Sequence, residues 1–191
     1  LILKEGTVVD ATIIAAPPST KNKSKSRDPH MRSTKKGNQY YFGMKAHIGA
    51  DAASGLVHTL VTTAANVHDV NQAHALLHGE EQQVYGDSGY LGADKREENK
   101  DKDVEWVVAM RHGKRRKLRD SGTEEGQLAD KIEKLKSRIR AKVEHPFYWV
   151  KVHFGHRKTR YRGLAKNTAH LYSLFALANL FLSKRCIPLA G

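Results

Sequence analysis

Cysteine is almost absent from this sequence, since Cys186 is the single one among 191 residues. A lone cysteine excludes a disulfide scaffold and a cysteine-based zinc module. Long apolar runs are absent too. The richest stretch, residues 171–182, contains Ser173 and Asn179 and is shorter than the ~20 residues that a membrane-spanning helix needs. The sequence therefore predicts a protein without a membrane span.

The N-terminus lacks both an initiator methionine and a secretory signal. Lys4, Glu5 and Asp10 interrupt its apolar residues, whereas a signal peptide has a continuous apolar core. The first residues also look like the inside of an ordered element. We therefore interpret the chain as a fragment of a longer protein.

Acidic residues are scarce relative to basic ones. Asp and Glu number 20 against 33 Lys and Arg, which gives a net charge of +13. Such an excess indicates a polyanionic partner, with nucleic acid as the first choice and a membrane surface as the second. The length suits one compact domain, and we find no internal repeat or boundary, so we expect a single domain over residues 1–191.

Hydrophobic patterning predicts an α/β protein. Residues 7–14 are rich in β-branched side chains, as in a buried strand, and residues 104–110 are apolar nearly throughout. The remaining predicted strands are 39–48, 56–63 and 83–86. The first two predicted helices are 66–77, or 68–77, and 93–99. A long helix is predicted to begin near Thr123, and a final helix, capped by Asn167 and Thr168, is predicted to end near Ser183. The order is β-β-β-α-β-α-β-α followed by a C-terminal helix.

Two basic segments, 17–38 and 111–122, are predicted to be loops. Residues 19–38 carry seven Lys or Arg, and Met31 is their only aliphatic side chain. Such a segment cannot bury enough surface to become ordered, so we expect a mobile loop. The second segment includes Arg115 and Arg116.

The long helix carries an apolar residue at every third or fourth position, which predicts a face packed on the core. These residues are Leu128, Ile132, Leu135, Ile139 and Val143. Pro146 is expected to kink this helix or to restart it.

Three carboxylates occupy positions suited to chemistry. Asp10 lies mid-strand among β-branched residues, where a carboxylate is costly unless it is paired or binds a cation, although it would also fit a solvent-facing position. Asp87 follows the strand 83–86, where ligand-binding residues are frequent, but a turn or helix N-cap is the alternative. Glu144 stands four residues after Arg140 and seven before Lys151, an arrangement that also fits a surface salt bridge with Arg140.

Considered together, the three acids suggest a metal site. Clustered carboxylates raise each other's pKa unless a cation neutralises them. Ligand sets made of oxygen alone select hard cations such as Mg²⁺ or Mn²⁺. Two such ions would stabilise the attacking and leaving oxygens of an in-line displacement at phosphorus, on nucleic acid held by the basic surface.

Several motifs resemble the catalytic domain of bacterial insertion-sequence transposases of the DDE type, in particular the insertion-sequence-five group. The resemblance runs from about residue 6 to 182, and its most specific element is the spacing of Arg140, Glu144 and Lys151. The matching stretches are VDATII (9–14), KKGNQY (35–40), FGMKAHIG (42–49), TAANVHD (63–69), GDSGY (86–90), RAKVEHPF (140–147) and ALANLF (176–181).

The resemblance implies a ribonuclease-H-like fold, with a five-stranded mixed sheet flanked by helices. It implies that Asp10, Asp87 and Glu144 are the catalytic triad that binds two Mg²⁺ or Mn²⁺ ions, and that Arg140 and Lys151 contact transposon-end DNA. The implied reaction is hydrolysis at terminal inverted repeats followed by strand transfer into target DNA. A homodimer on DNA and a cytoplasmic, nucleoid-associated location in bacteria are further implications.

This sequence departs from the family pattern at two places. The broader signature has a tyrosine three residues before the arginine, and Ser137 occupies that position. The N-terminal DNA-binding region of such proteins is also missing. Two alternatives also stay open, a plain nuclease of the same fold and a non-catalytic DNA-binding remnant.

The remaining basic and histidine residues have less specific interpretations. Lys35 and Lys36, beside Tyr40, and the loop residues Arg115 and Arg116 are expected to contact DNA. Aromatic residues 40–42 would stack on bases or pack within a strand. His153 and His156 have a ligand-like spacing without a second pair of ligands, which disfavours zinc there.

Overall fold

The computed structural model describes residues 6–184 and has a six-stranded mixed sheet. Lys4, Glu5 and Cys186 lie outside the described residues. The strands are β1 (Gly6–Ala15), β2 (Arg32–Lys36), β3 (Gln39–Asp51), β4 (Val57–Ala64), β5 (Gln83–Gly86) and β6 (Glu105–Val108). The α-helices are α1 (Glu97–Lys100), α2 (His112–Asp120), α3 (Glu124–Arg140), α4 (Glu144–Tyr148) and α5 (Leu164–Ser183).

Shorter helical segments connect these elements. The 3₁₀ turns are Asp69–Leu76, Ser88–Tyr90, Ala93–Lys95 and Ala141–Val143, and a π-helical segment, Trp149–His153, follows α4. No helix within residues 6–184 combines the length and the apolar character needed to cross a membrane.

The strand β1 is central to the sheet. It pairs antiparallel with β3 and parallel with β5, and β5 pairs parallel with β6. On its other side β3 pairs with β4 over residues 44–50 and with β2 over residues 39–43. This mixed α/β arrangement is compatible with the ribonuclease-H-like fold.

Alternation along β1 divides the core into two clusters. Val8 belongs to one, together with Val143, Phe147 and Leu171, which lie in the helical segments after α3. The adjacent Val9 belongs to the other, which contains residues of the 3₁₀ turns such as Leu76, Tyr90 and Ala93. Successive side chains of a strand point to opposite faces, so β1 is covered on both sides.

The basic segment 17–38 is not wholly a loop, because residues 32–36 form β2, a strand absent from the predicted five. Backbone pairing with β3 orders it, with Thr34 opposite Tyr41 and Lys36 opposite Gln39. Gly37, at φ +61°, makes the tight turn between the strands. Ladder hydrogen bonds can therefore order a polar segment that buries little apolar surface.

The segment 111–122 is also not a loop, since residues 112–120 form α2. Lys and Arg are good helix formers, and the prediction of a loop did not take that propensity into account. The Arg115 side chain binds Asp130 of α3 at 2.8 Å, so α2 packs against the long helix through an ion pair.

The apolar stripe of the long helix is mostly exposed, contrary to the predicted core face. Leu128, Ile132 and Leu135 are 60%, 46% and 57% exposed, and only the last members, Ile139 and Val143, reach the core. The face that α3 buries carries Gly126, Asp130 and Glu133 instead. The Glu133 carboxylate accepts a hydrogen bond from Met110 N at 2.8 Å, so polar contacts dock this helix at the end of β6.

Two helices also differ from the predicted ones in their bounds. The segment 66–77 forms a 3₁₀ helix, Asp69–Leu76, and α5 begins at Leu164, so Asn167 lies within that helix rather than at its cap. The Asn167 side chain accepts from the backbone N–H groups of Arg160 and Tyr161, which fixes the preceding loop. Pro146 behaves as expected, because α-helical structure restarts at Glu144 after a 3₁₀ turn.

Candidate active site

The three predicted acids line one pocket of about 510 Å³. It lies between β1, the end of β5 and the late helices. Its lining also contains basic, polar and aromatic side chains. The lining residues with charged, polar or hydroxyl-bearing side chains are Asp10, Thr12, Lys36, Asp87, Arg140, Glu144, His145, Tyr148 and Lys151.

The two aspartates reach the pocket from neighbouring strands. Asp10 lies opposite Ile48 in the ladder between β1 and β3, and its Oδ1 accepts from Ala11 N at 2.7 Å. Asp87 comes directly after β5, and its Oδ1 accepts from Gly89 N at 2.8 Å as the N-cap of a 3₁₀ turn. The N-cap alternative for Asp87 is therefore true, and the side chain lines the pocket as well.

Three further residues reach the pocket from the late helices. Arg140 is the last residue of α3, Glu144 is the first of α4, and Lys151 lies in the π-helical segment. The helical path continues through Pro146, so Lys151 stays at the pocket. The spacing of four and seven residues thus places all three at one wall.

The protonation of Asp10 reflects this crowding. The pKa of Asp10 is raised to about 6, mainly by burial and also by the charges of Asp87 and Glu144, whereas the Ala11 N–H and Arg140 lower it. The acids are therefore close enough to repel each other. Such oxygen donors fit a hard divalent cation, which would relieve the repulsion.

Arg140 contributes positive charge to the pocket without pairing directly with any of the acids. Within residues 6–184 it forms no ion pair, and its Nε is buried without a hydrogen-bond partner. The salt-bridge alternative for Arg140 and Glu144 is therefore not realised in this structure. A buried donor without an acceptor is costly, and it is suited to an anionic ligand such as a phosphate.

Other basic residues border the same pocket. Burial lowers the pKa of Lys151, and the nearby charges of Lys36 and Arg157 lower it further, while Glu144 opposes them. The repulsion indicates a concentration of positive charge beside the acids. A polyanion at this wall would relieve that repulsion.

Three predicted DNA-binding residues lie elsewhere. Lys35 does not line the pocket, and its Nζ lies 5.6 Å from the centre of the exposed Tyr40 ring. Arg115 and Arg116 lie on α2, where Arg115 is paired with Asp130. Their placement is compatible with contacts to DNA that extends beyond the pocket.

Sequence reasoning missed several residues of the pocket. Thr12 follows Asp10 by two positions, which puts both on the same side of β1. His145 adjoins Glu144, and Tyr148, 54% exposed, follows it by four positions on α4. Strand and helix periodicity alone would have found Thr12 and Tyr148.

A buried polar group lies beneath the acids. Tyr90 is fully buried with no hydrogen-bond partner for its hydroxyl within the described residues. Burial raises the pKa of Tyr90 far above its ordinary value, and the nearby Asp10, Asp69 and Asp87 act in the same direction. Asp69, which accepts from Lys45 Nζ at 2.9 Å, belongs to the match at 63–69 and lies near enough to Tyr90 for its charge to act on that hydroxyl.

Comparison with known proteins identifies the family. No solved structure matches this chain. A family model described as Transposase DDE domain matches residues 2–180, which is most of the chain. The chain therefore belongs to the transposase DDE domain family, which implies transposase function.

Proposed function

We propose that this protein cleaves DNA at the terminal inverted repeats of an insertion sequence and joins the freed 3′-hydroxyls to target DNA. The observation that carries the proposal is the shared pocket of Asp10, Asp87 and Glu144 with unpaired Arg140. Family membership supports DNA as the substrate. The motifs at 86–90 and 140–147 lead us to assign the chain to the insertion-sequence-five group.

The carboxylates would hold two Mg²⁺ or Mn²⁺ ions. The metal ions, when bound, supply Lewis-acid stabilisation of the attacking and leaving oxygens at phosphorus. Asp10 and Asp87 would contact both ions, and Glu144 would complete one site. The raised pKa of Asp10 supports this role, since a carboxylate held among other acids gains most from a cation.

The basic side chains would hold the DNA. Arg140, Lys151 and Lys36 would contact phosphates beside the reacting bond, because all three line the pocket with the acids. A guanidinium fork suits a phosphate particularly well. Lys35, Arg115 and Arg116 would contact phosphates farther along the duplex.

Substitution of the acids tests the proposal. Asp10→Asn, Asp87→Asn and Glu144→Gln should each abolish Mg²⁺-dependent cleavage while DNA affinity changes little. Asp94→Asn, which alters an exposed aspartate away from the pocket, is the matched control. Near wild-type cleavage by any of the three variants would remove that residue from the metal site.

Two assays separate transposase from its alternatives. Mg²⁺-dependent nicking of plasmid DNA distinguishes either enzyme from a non-catalytic DNA-binding remnant. Joining of a precut 3′-hydroxyl end to target DNA distinguishes a transposase from a plain nuclease. We expect both activities, in a bacterial cytoplasmic protein associated with the nucleoid.

The active assembly would be a homodimer on DNA, because each of two transposon ends needs an active site. The exposed apolar residues Leu128, Ile132 and Leu135 of α3 support a contact with a second copy. Sedimentation of the end-DNA complex should give two protein copies, and Leu128→Ser with Leu135→Ser should weaken that state. A complex with one copy would contradict the proposal.

A further inference from the structure

A second cluster of metal-ligand side chains lies away from the acidic pocket. His58 belongs to β4, and His78 and Glu81 lie in the turn before β5. One potential ligand atom from each of the three lies within 4.8 Å of the others. Glu81 precedes β5 and Asp87 follows it, so the two sites lie at opposite ends of that strand.

The Glu81 carboxylate is held in position by its neighbours. It is buried, and it accepts hydrogen bonds from the backbone N–H of His78, from Gly79 N at 2.7 Å and from Thr7 Oγ1 at 3.2 Å. Burial alone would raise the pKa of Glu81, but the N–H groups of His78 and Gly79 outweigh burial and lower it. A fixed, ionised carboxylate is suited to a cation.

The His58 ring is positioned by hydroxyl contacts at both of its nitrogens, and an ion bound to this ring would replace one of these contacts. Its Nδ1 lies 2.8 Å from Thr59 Oγ1, and its Nε2 lies 3.1 Å from Thr7 Oγ1. A Cβ on Gly49 would approach His58 Cε1 to 2.8 Å, so the glycine leaves room for the ring. Burial lowers the pKa of His58 to about 4, which keeps the imidazole in its neutral, metal-binding form.

His78 leaves one nitrogen without a hydrogen bond. Its Nε2 is buried without a partner, 3.5 Å from Glu81 Oε1, and its ring lies edge-on to His58 with centroids 4.9 Å apart. The contact from Glu80 N to His78 Nδ1, at 3.2 Å, is exposed, so water can replace it if the ring changes tautomer. A metal ion on Nε2 would satisfy the buried atom.

We propose that His58, His78 and Glu81 bind one Zn²⁺-class ion that links β4 to the turn before β5. Two imidazoles and a carboxylate suit zinc and neighbouring transition metals, whereas Mg²⁺ prefers oxygen alone. Tetrahedral ligands about 2.1 Å from zinc lie roughly 3.4 Å apart, so small side-chain rotations would close the cluster. Water would take the fourth position. This ion is separate from the proposed catalytic metals.

Metal titration of a tag-free protein tests the site. Asp87→Asn and Glu144→Gln are combined in the background, so that the acidic pocket does not compete for the probe ion. Co²⁺ should bind in a single equivalent with the intense visible absorption of four-coordinate cobalt, and Zn²⁺ should displace it and raise the melting temperature. His78→Gln should abolish the absorption and the thermal shift. His112→Gln, on an exposed α2 residue, should keep both.

A second measurement counts the metal ligands directly, so the test does not depend on whether the His78 variant folds. X-ray absorption of the Zn²⁺-loaded background protein should show two imidazoles in the coordination shell. A shell without imidazole would overturn the proposal, as would unchanged cobalt absorption in a folded His78→Gln protein. Failure to bind Co²⁺ or Zn²⁺ in the folded background protein would overturn it too.

Discussion

Arg140 and Glu144 stand one helical turn apart at the wall of the same pocket, yet they form no ion pair in the described chain. A tight 3₁₀ turn, Ala141–Val143, separates them, and the Arg140 Nε is left buried without an acceptor. An arginine already paired with the glutamate would have fewer free donors and less uncompensated charge with which to bind a phosphate. The unpaired geometry leaves the carboxylate for a cation and the guanidinium for DNA.

Replacing Arg140 should show whether this residue binds DNA or supports the metal site. Arg140→Ala should weaken binding of end-containing DNA by about tenfold or more, since a charge-assisted hydrogen bond contributes about 1.5–3 kcal/mol. Calorimetric Mn²⁺ binding to the free protein should stay nearly intact. Arg138→Ala, on an exposed neighbour in α3, is the matched control. A joint fall in metal affinity and thermal stability, with DNA affinity unchanged, would instead assign Arg140 a structural role.

The raised pKa of Asp10 predicts a pH-dependent stability. Its folded value of about 6 exceeds the ordinary 3.8, so the folded protein holds a proton between these values that the unfolded chain releases. The contribution of Asp10 to the free energy of unfolding therefore falls as pH rises from about 4 to 6. In EDTA, Asp10→Asn should be more stable than the parent at pH 7.5 by about 1–3 kcal/mol.

The comparison is made by urea unfolding at pH 4 and at pH 7.5. The difference between Asp10→Asn and the parent should be much smaller at pH 4, which is close to the ordinary pKa of 3.8 and where Asp10 is protonated in the folded state. Asp94→Asn should show no such dependence, because that side chain is exposed. An equal difference at both pH values would show that the Asp10 charge does not cause it.

Salt should strongly affect DNA affinity, given the net charge of +13. If about six phosphates are contacted, the association constant should fall roughly 10³-fold between 50 and 200 mM salt. Lys36→Ala should reduce the slope of log affinity against log salt by about one, as expected for one lost phosphate contact. Fluorescence anisotropy over a salt series measures both. An affinity that hardly responds to salt would refute the electrostatic model.

Because α3 packs through polar side chains, replacing a glutamate on this helix should destabilise the protein more than replacing a leucine. Glu133→Ala should lower the free energy of unfolding by about 1–3 kcal/mol, because it removes the acceptor of Met110 N and the partner of Lys136. Leu128→Ala, on the exposed side, should change it by less than about 0.5 kcal/mol. Urea unfolding measures both. The opposite ranking would mean that the apolar side of this helix is the buried one.

Local sequence signals predicted the central strands, and they singled out three acids that the structure brings to one pocket. Buried strands such as residues 7–14 have a β-branched composition that few other structures share, and Asp10 is conspicuous within that strand. The helical spacing of Arg140, Glu144 and Lys151 also correctly predicted a common face. What the acids do chemically remains a prediction.

The wrong predictions, for the buried face of α3 and for residues 32–36, have one physical cause. Both depend on contacts with residues that are distant in the sequence. Periodicity identified a face on α3, but it could not tell that Asp130 and Glu133 find partners on α2 and at the end of β6. Composition suggested disorder for residues 32–36, yet pairing with β3 supplies the hydrogen bonds that order a strand. In the His58 cluster, His78 and Glu81 are close in sequence but His58 comes from another strand, so no single local motif contains all three ligands.

The strand β2 also bears on how copies of this protein meet one another. It lies at an end of the strand order, where unpaired backbone groups would otherwise serve as a template for another chain. Its sequence is Arg-Ser-Thr-Lys-Lys, and edge-to-edge association of two such strands would bring like charges together. The charges that make this segment a poor candidate for a buried core thus protect the exposed rim of the sheet from aggregation.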